Sequence, residues 1–254
     1  MHFTLLNFVI IFLSCRDNVN VLFPCKCDKG SDIGLFVTCD GGNLASLSVA
    51  LHNLAVLNGS KVEEIVIKRS HFTSLYGTLF HRSNARVLKI VDVPIKLINE
   101  YTFWGINTTL EELRIINSSL VAFPREAFKV LGSLKILEIN HHHIGILNNN
   151  EFDDSHLPAK LERFYVTNGN ITEIGVNTFQ HLKKAKVVDL HGNQITVLKK
   201  NQFRGLRDAE VLDVSFNNIE KLDSSHIADL TKLTFCNASH NKLTELSRYD
   251  DKNL

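Results

Sequence analysis

The sequence lacks a dominant charge. Its 28 Lys and Arg stand against 27 Asp and Glu, a net charge of +1. There is thus no overall basic excess to neutralise a phosphate backbone, and nucleic acid is not an expected partner. Four prolines and 13 glycines in 254 residues are too few for a collagen-like or linker-dominated chain. A hydrophobic fraction of 44% is too high for a disordered one. Long apolar runs are also missing. The first, Leu5 to Leu13 broken only by Asn7, cannot cross a hydrocarbon core that needs roughly 20 residues. No other stretch is longer or more apolar, so no membrane span is expected. Zinc-peptidase, nucleophile-elbow, phosphate-loop and dinucleotide signatures are absent as well. That argues against an enzyme, and no cofactor or metal is expected.

What is present begins at the N-terminus. The Leu5 to Leu13 run has the length of a signal-peptide core, although only His2 offers positive charge ahead of it. Residues 1–14 are therefore read as a signal peptide, with Phe12 and Ser14, or Leu13 and Cys15, at the recognition positions of two alternative cleavage sites. A buried N-terminal strand is the competing reading. Export places the chain in the secreted, extracellular space. Cysteine usage agrees: Cys15, Cys25, Cys27 and Cys39 crowd the first 40 residues, while Cys236 stands alone. Four clustered cysteines in an exported chain form most simply a two-disulfide knot. A zinc site on Cys25-Lys26-Cys27 is the alternative, and cleavage after Cys15 would leave one of the other three unpaired.

The rest of the chain repeats. Register starts at Val62, Ala85, Leu110, Leu134, Leu161, Ala185, Ala209 and Leu233 are spaced by 23, 25, 24, 27, 24, 24 and 24 residues. Position 4 reads Ile65, Leu88, Leu113, Leu137, Phe164, Val188, Leu212, Cys236, and position 6 reads Ile67, Ile90, Ile115, Ile139, Val166, Leu190, Val214, Ala238. Positions 1, 11 and 14 are apolar in all eight units too. Position 19, eighteen residues after each start, holds Phe80, Phe103, Phe128, Phe152, Phe179 and Phe203, then Ile227, which predicts a stacked aromatic spine. Asn193, Asn217 and Asn241 at position 9 are placed to bond backbone groups of adjacent coils. Earlier units carry Ser70, Val93, Ser118, His142 and Gly169 there, so a less regular N-terminal half is expected. Cys236, at a core position, is expected to be a buried free thiol.

Over about residues 34 to 250 this pattern resembles the extracellular leucine-rich repeat superfamily, in its typical subclass of roughly 24 residues. The stretch Val211-Leu-Asp-Val-Ser-Phe-Asn-Asn-Ile219 carries the resemblance most plainly. Pro24-Cys25-Lys26-Cys27 with Val37-Thr38-Cys39 resembles the cysteine-rich N-terminal cap of that family. The wide Cys15 to Cys25 gap is similar to that of arthropod secreted members. The resemblance implies Cys15–Cys27 and Cys25–Cys39 disulfides. It also implies an α/β solenoid, a horseshoe with parallel strands on the concave face and irregular or short-helical convex returns. The expected domains are the signal at 1–14, the cap with a first strand at 15–61, eight repeats at 62–246 and a polar tail at 247–254.

In such a solenoid the residues between core positions of a strand face the concave surface. Position 5 reads Val66, Lys89, Arg114, Glu138, Tyr165, Asp189, Asp213, Asn237, and position 7 reads Lys68, Val91, Ile116, Asn140, Thr167, His191, Ser215, Ser239. Apart from Arg163, the face runs from basic to acidic along the chain, a two-signed strip able to orient a protein partner. A solvated polar face is the bland alternative. The partner-binding candidates are Lys68, Lys89, Arg114, Glu138, Tyr165, Asp189, His191 and Asp213, with Tyr165 the best anchor because amphipathic aromatics are enriched at binding hot spots. Sequons at Asn58, Asn107, Asn117, Asn170 and Asn237 imply glycans on an exported chain. A glycan on Asn237 would block the last unit. His141-His142-His143 looks like a metal tract, yet adjacent strand residues alternate faces and do not converge.

The eighth unit stops short, with Asp251 where the spine would continue. A polar tail shielding the edge, a second chain covering it, or a truncated product would each account for this, and truncation is the reading adopted. The sequence thus points to an extracellular module binding a protein partner through its concave face. The alternative is a structural or regulatory non-catalytic subunit or matrix component, associating through the uncapped C-terminal edge.

Overall fold

The computed structural model describes residues 22–29, 34–58, 61–148, 151–152 and 159–246. They form a solenoid whose concave wall is one ten-stranded sheet. Cys25–Lys29 pairs antiparallel with Leu35–Asp40, and every later pairing is parallel, one strand per coil in chain order. A single coil has no partner for its apolar side, and stacking supplies one. The five apolar positions identified from periodicity are buried almost without exception through the seventh coil.

The segment before the first repeat holds a helix, Leu44–Asn58, that the 24-residue repeat spacing does not reveal. Leu47, Ala50, Leu51 and Leu54 recur at helical spacing and are buried. Asn43 caps the first turn, accepting from the Ser46 N–H at 2.9 Å while Ser46 Oγ accepts from the Asn43 N–H at 3.2 Å. Cys25 and Cys39 lie directly opposite one another on the cap strands and are bridged. That corrects the zinc alternative at Cys25-Lys26-Cys27. Cys27 is buried, whereas Cys15, and with it the expected Cys15–Cys27 bridge, lies outside the described residues. So do the signal at 1–14 and the tail at 247–254.

The sheet is more regular in its N-terminal half, contrary to expectation. Strands span seven residues in the first coil (Val62–Lys68), five in the next four, and three in the last three, Val187–Asp189, Val211–Asp213 and Phe235–Asn237. Position 5 explains it. Asp189, Asp213 and Asn237 accept through Oδ1 from the N–H of His191, Ser215 and Ser239, at 3.0, 2.8 and 3.1 Å. This local side-chain bond competes with the ladder and ends the strand. The earlier units carry Val, Lys, Arg, Glu or Tyr at that position, which cannot make so short a bond.

Behind the sheet, the asparagine ladder forms where the residues permit. Asn217 donates to the Leu190 and Val214 carbonyls, both at 3.1 Å, and accepts from the Ile195 N–H at 3.0 Å. Asn193 and Asn241 repeat the arrangement. In the fourth and fifth coils a different pair fills the column. A Cβ on Gly169 would fall 2.1 Å from the His142 ring. His142 therefore occupies the space left by Gly169, its Nδ1 accepting from the Ile144 N–H at 3.1 Å and its Nε2 without a hydrogen-bond partner among the described residues.

The phenylalanine spine forms with one deviation. Phe80 stacks on Phe103 at 6.1 Å, Phe103 meets Phe128 at 5.9 Å, and Phe152, Phe179 and Phe203 continue at 6.5 and 5.9 Å. Between Phe128 and Phe152 the ring of Phe123, from position 14, is interposed at 5.3 and 5.1 Å. On the returns, short helices at Arg125–Phe128 and Ser224–Ile227 and three two-residue parallel pairings are the regular elements.

Position 2 adds a column of alternating sign: Glu63, Arg86, Glu111, Lys135, Glu162, Lys186, Glu210. The backbone N–H of each donates to the carbonyl of the one before. Arg86 Nε donates to Glu63 at 2.6 Å, Arg86 also reaches Glu111, and Lys135 lies 3.0 Å from Glu111. Such pairs contribute little energy each. A one-coil slip would stack like charges, so the column specifies register.

Cys236 departs from expectation. It sits at a core position yet is exposed, because among the described residues nothing packs on the outer side of the eighth coil. Leu233, Ala238 and Leu243 are only half-buried for the same reason.

Candidate partner-binding face

Alternation along each strand turns positions 3, 5 and 7 outward, and parallel in-register pairing stacks each into a row. Position 5 forms one row, Val66, Lys89, Arg114, Glu138, Tyr165, Asp189, Asp213, Asn237, each residue directly beside the next. All are half-buried, as concave curvature and flanking rows require. Position 7 places Lys68 and His191 in the next row.

Position 3 is the row that the candidate residues omit, and simple period-two alternation would have found it. It reads Glu64, Val87, Glu112, Ile136, Arg163, Val187, Val211, Phe235. This row changes the electrostatics. Lys89 Nζ lies 2.6 Å from Glu64, Arg114 bonds Glu112 at 2.5 Å and also Glu138, and Lys68 lies 3.7 Å from Asp40. The N-terminal basic residues are thus matched by acids on the same face. At the other end the two aspartates are engaged internally. Asp189 holds the His191 N–H and approaches His191 Nδ1 at 2.8 Å. Asp213 holds Ser215 and accepts from Asn237 Nδ2 at 2.9 Å. Between these groups Tyr165 carries no such tie among the described residues. It stands beside Glu138 and Asp189, with exposed Arg163 on its own strand. Row 3 also brings half-buried Ile136, Val187 and Val211 and the 54% exposed Phe235 to this wall, while Val87 beside Glu64 is buried, so the face is partly apolar.

A rim borders these rows. Position 8 is left-handed in every coil: Arg69, Asp92, Asn117, His141, Asn168, Gly192, Phe216 and His240 have φ between 48° and 69°. Asn, Asp and Gly suit that conformation, and Arg or Phe do not. The turn is nevertheless held by a backbone ladder, each position-8 N–H through Phe216 donating to the position-7 carbonyl of the next coil. At the end of the rim Phe216 stacks on His240 at 4.1 Å. In the histidine tract, His142 is buried while His141 and His143 are exposed.

The sequons divide by what their amides do. Asn117 Nδ2 donates to Asp92 at 2.8 Å, and Asn237 Nδ2 to Asp213. Asn107 and Asn170 engage only their oxygens, accepting from the Gly105 N–H and from Gln194. The Asn58 side chain lies outside the described residues.

Comparison with known proteins agrees with this architecture. A leucine-rich-repeat family model matches residues 159–219 and 185–243, and a model of the BspA-type leucine-rich-repeat region, six copies long, matches residues 53–159. No curated protein shares significant sequence similarity with the chain. The solved structure of a TLR13–ssRNA13 complex superposes with a TM-score of 0.64 at 20% identity over 80% of this chain. The Toll–Spatzle complex of Drosophila gives 0.64 at 17% over 92%, and a Leptospira interrogans LRR protein gives 0.58 at 16% over 80%. The chain spans about a third of the length of the first two, 31% and 34%, and 58% of the third. At such identities the likeness is one of fold. The chain carries leucine-rich repeats and folds as their parallel-strand solenoid.

Proposed function

We propose that the chain is an extracellular binding module that takes a protein partner on its concave face, centred on Tyr165. The observation that carries this is the state of the central coils. Among the described residues Tyr165 and Arg163 lack the internal ties that occupy Arg114, Asp189 and Asp213, and Ile136 and Val187 flank Arg163. An aromatic anchor beside a cation, with apolar neighbours and a polar rim, has the composition of an interface hot spot. The paired charges on either side, Arg114–Glu138 and Asp189–His191, present a fixed pattern that favours one docking orientation. Repeat solenoids use such extended surfaces for recognition. A screen against extracellular proteins, followed by Tyr165→Ala, tests the reading. We expect the substitution to weaken the selected partner by about 2 kcal/mol, roughly 30-fold, with the melting temperature unchanged. Unaltered affinity would sink it.

Export is supported by the Cys25–Cys39 bridge and by the surface placement of Asn117 and Asn170. Glycopeptide mapping of chain secreted from eukaryotic cells should find Asn107 and Asn170 largely occupied. Their Nδ2 atoms are uncommitted and both sequons end in threonine. Asn117 and Asn237, whose sequons end in serine, should keep their amides for Asp92 and Asp213 and remain mostly bare. Full occupancy at Asn237 would contradict an open concave face.

The second reading is a non-catalytic subunit or matrix component that associates through its C-terminal edge. Exposed Phe235 and Cys236 beside half-buried Leu233 and Ala238 favour it. Sedimentation distinguishes the two, since a monodisperse monomer at micromolar concentration counts against edge association.

A further inference from the structure

We propose that the return side of the fifth to seventh coils binds a linear sulfated polysaccharide. Its identity as a sulfated sugar rests on the extracellular reading above, whereas the anion site stands on the geometry alone.

Positions 20, 21 and 23 of three successive coils line an open groove of about 570 Å³. Lys183 comes from the fifth coil, Arg204 and Arg207 from the sixth, and Asp229 is the lone carboxylate of the lining. Both arginines and the lysine are exposed, and none has an ion-pair partner among the described residues. This sets them apart from Lys68, Lys89 and Arg114 on the concave face, each of which lies against a carboxylate. Gly205 forms the floor between the two arginines. A Cβ there would come 2.4 Å from the backbone of Gln180, and φ is +104°, so only glycine lets the two coils approach this closely at the groove. Beside the groove, Lys184 and Lys186 surround Asp208, which is already held by Lys232 at 2.5 Å. Residues 180–207 carry seven Lys and Arg against Asp189 alone, and Asp189 lies on the opposite, concave wall. Of these cations, Lys199 is paired with Glu173, which leaves Lys183, Arg204 and Arg207 as those that the groove itself presents.

The chemistry of the lining selects the ligand. Guanidinium forks take oxyanions bidentately, and two of them three residues apart with a lysine on the preceding coil suit a row of sulfates. The groove draws its lining from three successive coils and faces solvent, so it can take a chain laid across them. No Phe, Tyr or Trp lines it to stack nucleobases, and no large apolar side chain lines it to take an acyl chain.

The test is titration of the secreted chain with a heparin dodecasaccharide at physiological salt. The wild type should bind with an affinity that falls steeply as salt rises. Arg204→Ser with Arg207→Ser should weaken it about tenfold or more at an unchanged melting temperature, and Lys183→Ser alone should weaken it less. Lys96→Ser, an exposed lysine on the second coil, should have no effect. Absence of wild-type binding, full affinity in the double variant, or tighter binding to poly(U) RNA or to phosphatidylserine vesicles would overturn the proposal. Tyr165→Ala should leave heparin binding intact, so failure of the concave-face reading would show separately.

Discussion

Phe179→Ala is expected to lower the stability of the solenoid by about 4 kcal/mol, read as a shift of the urea midpoint. The ring is fully buried and central in its stack. It contacts Phe152 at 6.5 Å, Phe203 at 5.9 Å, and Phe164 of the strand layer at 5.9 Å. Truncation removes the transfer energy of the ring and leaves a cavity among neighbours whose own coils hold them apart. Stability of a solenoid is largely a sum over nearest-neighbour interfaces. The loss should therefore weaken both the interface of the fifth coil with the fourth and that with the sixth. Hydrogen exchange should show faster opening at Phe164 to Val166 and Val188 to Leu190 while the cap strands stay protected. A change below about 1 kcal/mol would mean that the spine does not couple the coils.

Acid should destabilise the fold through His142. Burial, and then the neighbouring His143 and His141, lower its pKa from an ordinary 6.5 to about 4. The folded state holds the ring neutral, whereas the unfolded chain protonates it near 6.5. The contribution is fully present above pH 6.5, is lost as pH falls through the folded value near 4, and changes no further below that. At 1.36 kcal/mol per pKa unit, the shift is worth roughly 3 kcal/mol across that window. His142→Asn substitutes the group that the sixth to eighth coils use in this column and should flatten the dependence between pH 6.5 and 4. An equally steep acid limb in the variant would place the sensitivity elsewhere.

Legibility of the fold follows from what repeats. Core positions recur with one chemistry at one spacing, so Leu137, Ile139 and Phe179 could be placed from sequence alone. The left-handed position 8 could not, since Arg69 and Phe216 are poor residues for that conformation and are held there by the inter-coil backbone ladder. His142 and Gly169 likewise look unrelated at 27 residues' separation until stacking sets one in the other's space. Within the site, rows 5 and 7 were readable as outward-facing. Which of their charges are already matched was not, because Glu64 and Glu112 reach Lys89 and Arg114 from the overlooked row 3. The exposure of Cys236 reflects the edge on which it sits, which a core-position rule does not consider.

Recognition on the concave face, centred on Tyr165, is a proposal that one comparison can decide. The most direct measurement compares affinities of one selected extracellular partner for wild type, Tyr165→Ala with Arg163→Glu, and Arg204→Ser with Arg207→Ser. A loss of roughly 30-fold or more is expected for the concave pair and none for the convex pair. Full affinity in the concave variant would contradict it.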